Sequence, residues 1–168
     1  MLEKLIDSNK ATVCVIGLGY VGLPMLLRLS EVGFNAIGLD SDKKKISKLN
    51  NGLSYIKTID EQNIKASLKG GAKYVSDFSI IKKVDIILIC LPTPLGNHFE
   101  PDLSYIEDCI STILPFLRKD QLLSLESTTY PGTTDEIIVP KISKKFKIGK
   151  DFFVSYSPER EDPGNKKF

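Results

Sequence analysis

The run "TVCVIGLGYVGLP", Thr12 to Pro24, restricts the possible folds more than any other stretch of the chain. A short β-branched segment stops at Gly17, and glycines return at positions 19 and 22 as a helical apolar period begins. Glycine loses more backbone freedom on folding than any other residue. Three of them at these offsets belong where the chain turns sharply or where another group must touch the backbone. The stretch therefore reads as strand, glycine turn and helix.

The same alternation continues to the end of the chain. Thr12–Ile16 reads as a strand and Tyr20–Gly33 as a helix, with Val21, Met25, Leu26 and Leu29 on one stripe and Gly33 as its stop. Phe34–Asp40 reads as a second strand, and "SDKKKISKLNNG" as a short helix capped by Ser41 or Asp42. A polar helix over about Asp60–Leu68 ends at Gly70-Gly71, a weak strand "AKYVS" follows, and Asp77 caps a helical turn. Val84–Leu91 is almost continuously apolar, as a parallel strand buried on both faces must be. Ile106, Ile110, Ile113 and Leu114 mark another helix, with Cys109 beside the stripe. "QLLSLES" is a strand, "TTDEIIVPKISKKF" a helix with a late proline, and "FFVSYSPE" a last strand running into a loop. Repeated strand–helix–strand units of this length imply an α/β fold: a doubly wound, mainly parallel sheet of Rossmann type with helices on both faces.

In that context the glycines match G-x-G-x-x-G, and each has a task. Gly17 turns the chain out of the strand. Gly19 leaves the backbone bare for a pyrophosphate, and Gly22 lets the helix approach the sheet closely. The first amides of the helix, with its dipole, favour the negative charge. The second strand ends in Asp40, where a carboxylate can accept both hydroxyls of an adenosine ribose and repel a 2′-phosphate. That favours NAD over NADP, although the cations of "KKK" at 43–45 would tolerate the extra phosphate.

Composition narrows the rest. With 168 residues, 42% of them hydrophobic, the chain can bury a real core. A net charge of +2 gives no basis for binding nucleic acid or an anionic membrane surface. No window approaches the roughly 18 apolar residues of a membrane span, and the N-terminus lacks the apolar centre of a secretory signal. Three widely spaced cysteines, Cys14, Cys90 and Cys109, are not a disulfide framework. With a single histidine, His98, and no C-x-x-C pair, no metal site is expected. Cys14 and Cys90 sit in apolar runs as small buried hydrophobes, which indicates a reducing, cytoplasmic location. Residues 1–10 read as a short solvated lead-in with room for one helical turn, 11–160 as the dinucleotide-binding domain, and 161–168 as the start of a linker.

Five motifs in order, "GLGYVGLP", "LDSDKKKISKLNNG", "CLPTPL" followed by "EPDLS", "ESTTYPGTT" and "SPEREDPG", together resemble the UDP-glucose/GDP-mannose dehydrogenase family. Within it they are most similar to the branch that oxidises UDP-N-acetylhexosamines. The resemblance implies oxidation of C6 of a nucleotide sugar from alcohol to carboxylate with two NAD. It places the pyrophosphate on Gly17, Gly19, Tyr20, Val21 and Gly22, and the adenosine ribose on Asp40 with help from Lys45. Thr93 would contact the cofactor, Thr128 would lie near the nicotinamide and the reacting carbon, and Glu159 would stand beside the catalytic centre. All three follow expected strands, where ligands of open α/β sheets bind. Read without the resemblance, Thr93 and Thr128 are equally loop hydroxyls that cap helices, and Glu159 a solvated loop carboxylate.

The UDP-glucose branch carries a second glutamate four residues beyond Glu159. Here that place is Pro163, so Arg160 and Glu161 have no assigned role, and His98 reads as a surface residue rather than a base. The family's cysteine nucleophile lies in a second, sugar-binding domain, and none of the three cysteines has its surroundings. The chain thus reads as the cofactor half of a longer, homo-oligomeric enzyme whose partners are NAD, a UDP-sugar and its own C-terminal domain. Alone it is expected to be inactive. A stand-alone nucleotide-binding module and the UDP-glucose or GDP-mannose branch are the alternatives.

Overall fold

The computed structural model describes residues 2–95 and 101–158. Six strands, β1 (Thr12–Ile16), β2 (Asn35–Leu39), β3 (Lys73–Val75), β4 (Ile86–Ile89), β5 (Gln121–Leu125) and β6 (Phe152–Tyr156), form one sheet in the order β3-β2-β1-β4-β5-β6. Every pairing is parallel, as the crossover lengths require. The order reverses between β1 and β4, and a crevice opens beyond the strand ends at such a point.

Successive strand residues point to opposite faces, and the core divides accordingly. Cys14, Ile16, Ile87, Ile89, Leu123 and Leu125 pack against Ile106, Ile110 and Ile113 of helix α5 and against Ile138 and Ile142. On the opposite face Val15 lies with Leu23 and Leu26 of α2 and with Ile46, Leu49 and Ile64 of α3 and α4. The helices involved are α2 (Gly22–Glu31), α3 (Lys43–Asn50), α4 (Glu61–Lys69) and α5 (Ser104–Ile113). The apolar run at β4 is split between both faces, with Ile86 on the second.

Local chemistry sets the boundaries. The Asp42 carboxylate accepts from the Lys44 and Lys45 amides at the start of α3, Asp60 caps α4, and Asp77 caps the 3-10 turn Phe78–Lys83. Gln121 is fully buried in β5 yet satisfied: its Nε2 donates to the Ile81 and Val84 carbonyls at 2.8 Å each, and its Oε1 accepts from the Arg118 amide.

Three details depart from the sequence reading. Residues Leu2–Asp7 form a helix, α1, whose Leu2, Leu5 and Ile6 pack onto Ala11, Val13 and Ile86. The lead-in is longer than one turn and packs onto the core through half-buried side chains, because those three fall at i, i+3 and i+4 on one face. In α2 the fully buried side chains are Leu23 and Leu26, while Met25 and Leu29 are only partly covered. The helix expected over "TTDEIIVPKISKKF" is a π-helical turn, Thr134–Ile138, followed by a short helix α6, Val139–Ile142. Pro140 has no N–H to give the Glu136 carbonyl, and the Val139 amide reaches back five residues to the Thr134 carbonyl.

Candidate functional site

The crevice at the β1/β4 reversal is a cleft of about 530 Å³. Gly17, Gly19, Tyr20, Val21, Asp40, Lys45, Thr93 and Thr128 all line it, so the fold brings together eight of the ten residues singled out in the sequence. Gly22 lies beneath the turn. Glu159 and His98 fall outside the described residues.

The turn explains its glycines. Gly17 has φ +91°, a left-handed conformation that side chains strain, and a Cβ there would stand 2.6 Å from the Cys90 carbonyl oxygen. A Cβ on Gly22 would stand 1.9 Å from the Gly17 carbonyl oxygen and 3.1 Å from the Cys90 Cβ, so this glycine seats α2 against the turn and the end of β4. A Cβ on Gly19 would meet nothing within 4 Å. No contact among the described residues explains Gly19, and its bare backbone faces the cleft. No side chain caps the start of α2.

Asp40 is only 8% exposed. Its Oδ2 accepts from the Leu18 amide at 3.0 Å and from Lys45 Nζ at 3.4 Å, and its Oδ1 accepts from the Asp42 amide at 2.9 Å. The carboxylate thus holds the middle of the glycine turn as well as facing the cleft. A carboxylate has about four lone-pair sites, so one stays open and the long Lys45 contact is the one most easily released. One peptide further on, the Tyr55 hydroxyl donates to the Leu18 carbonyl oxygen. Burial, and next the charge of Asp40, raise the Tyr55 hydroxyl pKa well above its ordinary value, so the group remains a donor. Lys45 Nζ lies 5.8 Å from the centre of the Tyr55 ring.

The far half of the cleft is built from the ends of β4 and β5. Thr93 Oγ1 donates to the Thr128 carbonyl oxygen at 2.7 Å, and Ser127 Oγ donates to the Leu91 carbonyl at 2.7 Å, which ties the two loops together. Glu126, directly after β5, is 7% exposed, lines the cleft and accepts from Ser124 Oγ at 2.5 Å. Sequence reasoning passed over Glu126 and Tyr55. The signal for Glu126 was available, since a carboxylate ending an apolar strand is the same feature that drew attention to Asp40.

The expected buried character of the cysteines holds. All three are buried, and burial raises the Cys14 thiol well above its usual range and the Cys109 thiol to about 12. Among the described residues there is no cluster of metal-ligating side chains, and no helix is long and apolar enough to cross a membrane. A larger opening of about 800 Å³, lined by Pro24, Arg28, Asn63 and Ser67, lies on the flanks of α2 and α4, away from the strand ends.

Residues 11–167 match the family model for the UDP-glucose/GDP-mannose dehydrogenase family, NAD binding domain. The chain belongs to this family. The protein CapL of Staphylococcus aureus is 37% identical over 92% of the chain and 36% of CapL. The UDP-N-acetyl-D-glucosamine 6-dehydrogenase of Salmonella typhi is 34% identical over 95% of the chain and 37% of that enzyme. Among solved structures, the UDP-N-acetyl-mannosamine dehydrogenase Cap5O of S. aureus superposes with a TM-score of 0.84 at 32% identity, over 90% of this chain and 37% of that one. The chain therefore spans somewhat over a third of these relatives, and the region it spans is the family's NAD-binding domain. The site fits that cofactor: an unobstructed glycine backbone at an uncapped helix start stands beside a carboxylate with accepting capacity.

Proposed function

We propose that this chain is the cofactor half of an NAD-dependent nucleotide-sugar 6-dehydrogenase that oxidises the C6 alcohol of a UDP-N-acetylhexosamine to the carboxylate. One observation carries the reading: the Gly19 backbone, open for 4 Å around its missing Cβ, shares a cleft with the Asp40 carboxylate. The N-acetylhexosamine branch is favoured by the relatives quoted and by "SPEREDPG". Bound NAD accepts a hydride, and two are needed for the four-electron change from alcohol to carboxylate, with one water consumed. Gly17, Gly19, Tyr20, Val21 and Gly22 hold the pyrophosphate, Asp40 with Lys45 holds the adenosine ribose, and Thr93 and Thr128 border the nicotinamide end. Glu159 serves the catalytic centre. The nucleophile and sugar site belong to a further domain, and the whole enzyme is a cytoplasmic homo-oligomer.

Titration calorimetry with NAD, and absorbance at the reduced-nicotinamide band with UDP-N-acetylglucosamine, test this reading. Binding of NAD without turnover by the 168-residue chain is expected. Failure to bind NAD overturns the cofactor assignment, and NADH formed from the UDP-sugar by this chain alone overturns the division of labour.

A further inference from the structure

We propose that Glu126 faces the nicotinamide ring and makes the site favour the oxidised over the reduced cofactor. The inference rests on the NAD reading above. Asp40 at the end of β2 fixes the adenosine half on that side of the reversal, and the glycine turn at β1 takes the pyrophosphate. A dinucleotide laid across the crevice then extends over the ends of β4 and β5. Glu126 stands there, in the wall of the same cleft.

Its position is firmly held. The Glu126 amide donates to the Ile89 carbonyl at 2.9 Å, which fixes the backbone to the end of β4, and Ser124 Oγ holds Oε1. No described residue donates to Oε2, and no described cation pairs with this carboxylate. Lys45, the cation of the cleft, is engaged with Asp40 on the opposite side. With one oxygen held by Ser124 and the other turned to no described donor, this carboxylate offers an unpaired negative charge to a cation brought into the cleft. The oxidised nicotinamide ring carries one positive charge and the reduced ring carries none, so the attraction acts on one redox state only.

The test compares NAD and NADH affinities of the 168-residue chain with those of Glu126→Gln and Glu126→Asp, by calorimetry and by NADH fluorescence. Gln keeps an oxygen for Ser124 and removes the charge. It is expected to weaken NAD roughly tenfold, leave NADH and ADP-ribose unchanged, and keep the melting temperature. Asp retains the charge and is expected to retain most of the preference. Equal weakening of NAD and NADH by Gln, no weakening of either, or loss of the preference in Asp as large as in Gln overturns the inference while the cofactor reading stands. A wild-type chain that binds neither nucleotide overturns the cofactor reading itself, and this one with it.

Discussion

The Leu18 amide donates to Asp40 across 3.0 Å, joining the centre of the glycine turn to the end of the neighbouring strand. The next peptide, Leu18–Gly19, is gripped at its carbonyl by the Tyr55 hydroxyl. The glycine turn is therefore held in shape by the protein's own groups. Holding a binding loop in its bound form before the ligand arrives lowers the ordering cost of association.

Asp40→Asn tests the double duty of that carboxylate. Hydrogen bonds to charged groups contribute about 1.5–3 kcal/mol each, so NAD affinity is expected to fall at least tenfold. Lys45 loses its partner and becomes available to a 2′-phosphate, so the ratio of NADP to NAD affinity is expected to rise. Calorimetry with both nucleotides decides it, and an unchanged NAD affinity would rule out Asp40 as the ribose acceptor.

Tyr55→Phe removes one hydroxyl and leaves the ring. The Leu18 carbonyl loses its partner, and a net loss of about 1 kcal/mol in stability is expected, with NAD bound several-fold more weakly. The folded state raises the pKa of this hydroxyl, so its contribution is complete below the ordinary value of 10.0 and is lost as pH rises beyond it. Urea unfolding of both proteins from pH 7 to 11 should show their difference shrinking at the alkaline end. A gap that stays constant would mean that folding does not raise the pKa of this hydroxyl, and no gap at all that its hydrogen bond contributes nothing.

Gly19→Ala and Gly22→Ala separate the ligand's demand from the fold's. The Gly22 Cβ would lie 1.9 Å from the Gly17 carbonyl oxygen. Overpacking costs roughly 1–3 kcal/mol or more, so a fall in melting temperature on the order of 5 °C is expected. The Gly19 Cβ has open space around it, so stability should stay within roughly 0.5 kcal/mol while NAD affinity drops more than tenfold. Thermal melts and calorimetry on the two variants check this. Normal NAD binding by Gly19→Ala would refute the contact between this backbone and the pyrophosphate.

Much of this protein is written locally. The strand at Thr12–Ile16, the three glycines, the caps at Asp42 and Asp77, and Asp40 at a strand end all follow from short-range periodicity and turn chemistry. Such features depend on a few neighbouring residues, so the order of elements and the parallel sheet could be read directly. Thr93 and Thr128 were legible for the same reason, as hydroxyls just past strands. The π-helical turn was not, because its register depends on how Ile138 and Ile142 reach the core on either side of Pro140.

The sequence by itself determined the strand–turn–helix alternation, the glycine cradle and the acid beside it, because backbone sterics and hydrophobic period act over a few residues. Only the tertiary structure decided that α1 covers Ala11 and Val13, that Tyr55 reaches Leu18 from 37 residues away, and that Glu126 lines the cleft. Which polar side chain enters a crevice depends on how distant segments pack and on the pleat each strand end presents, and no local pattern carries that information.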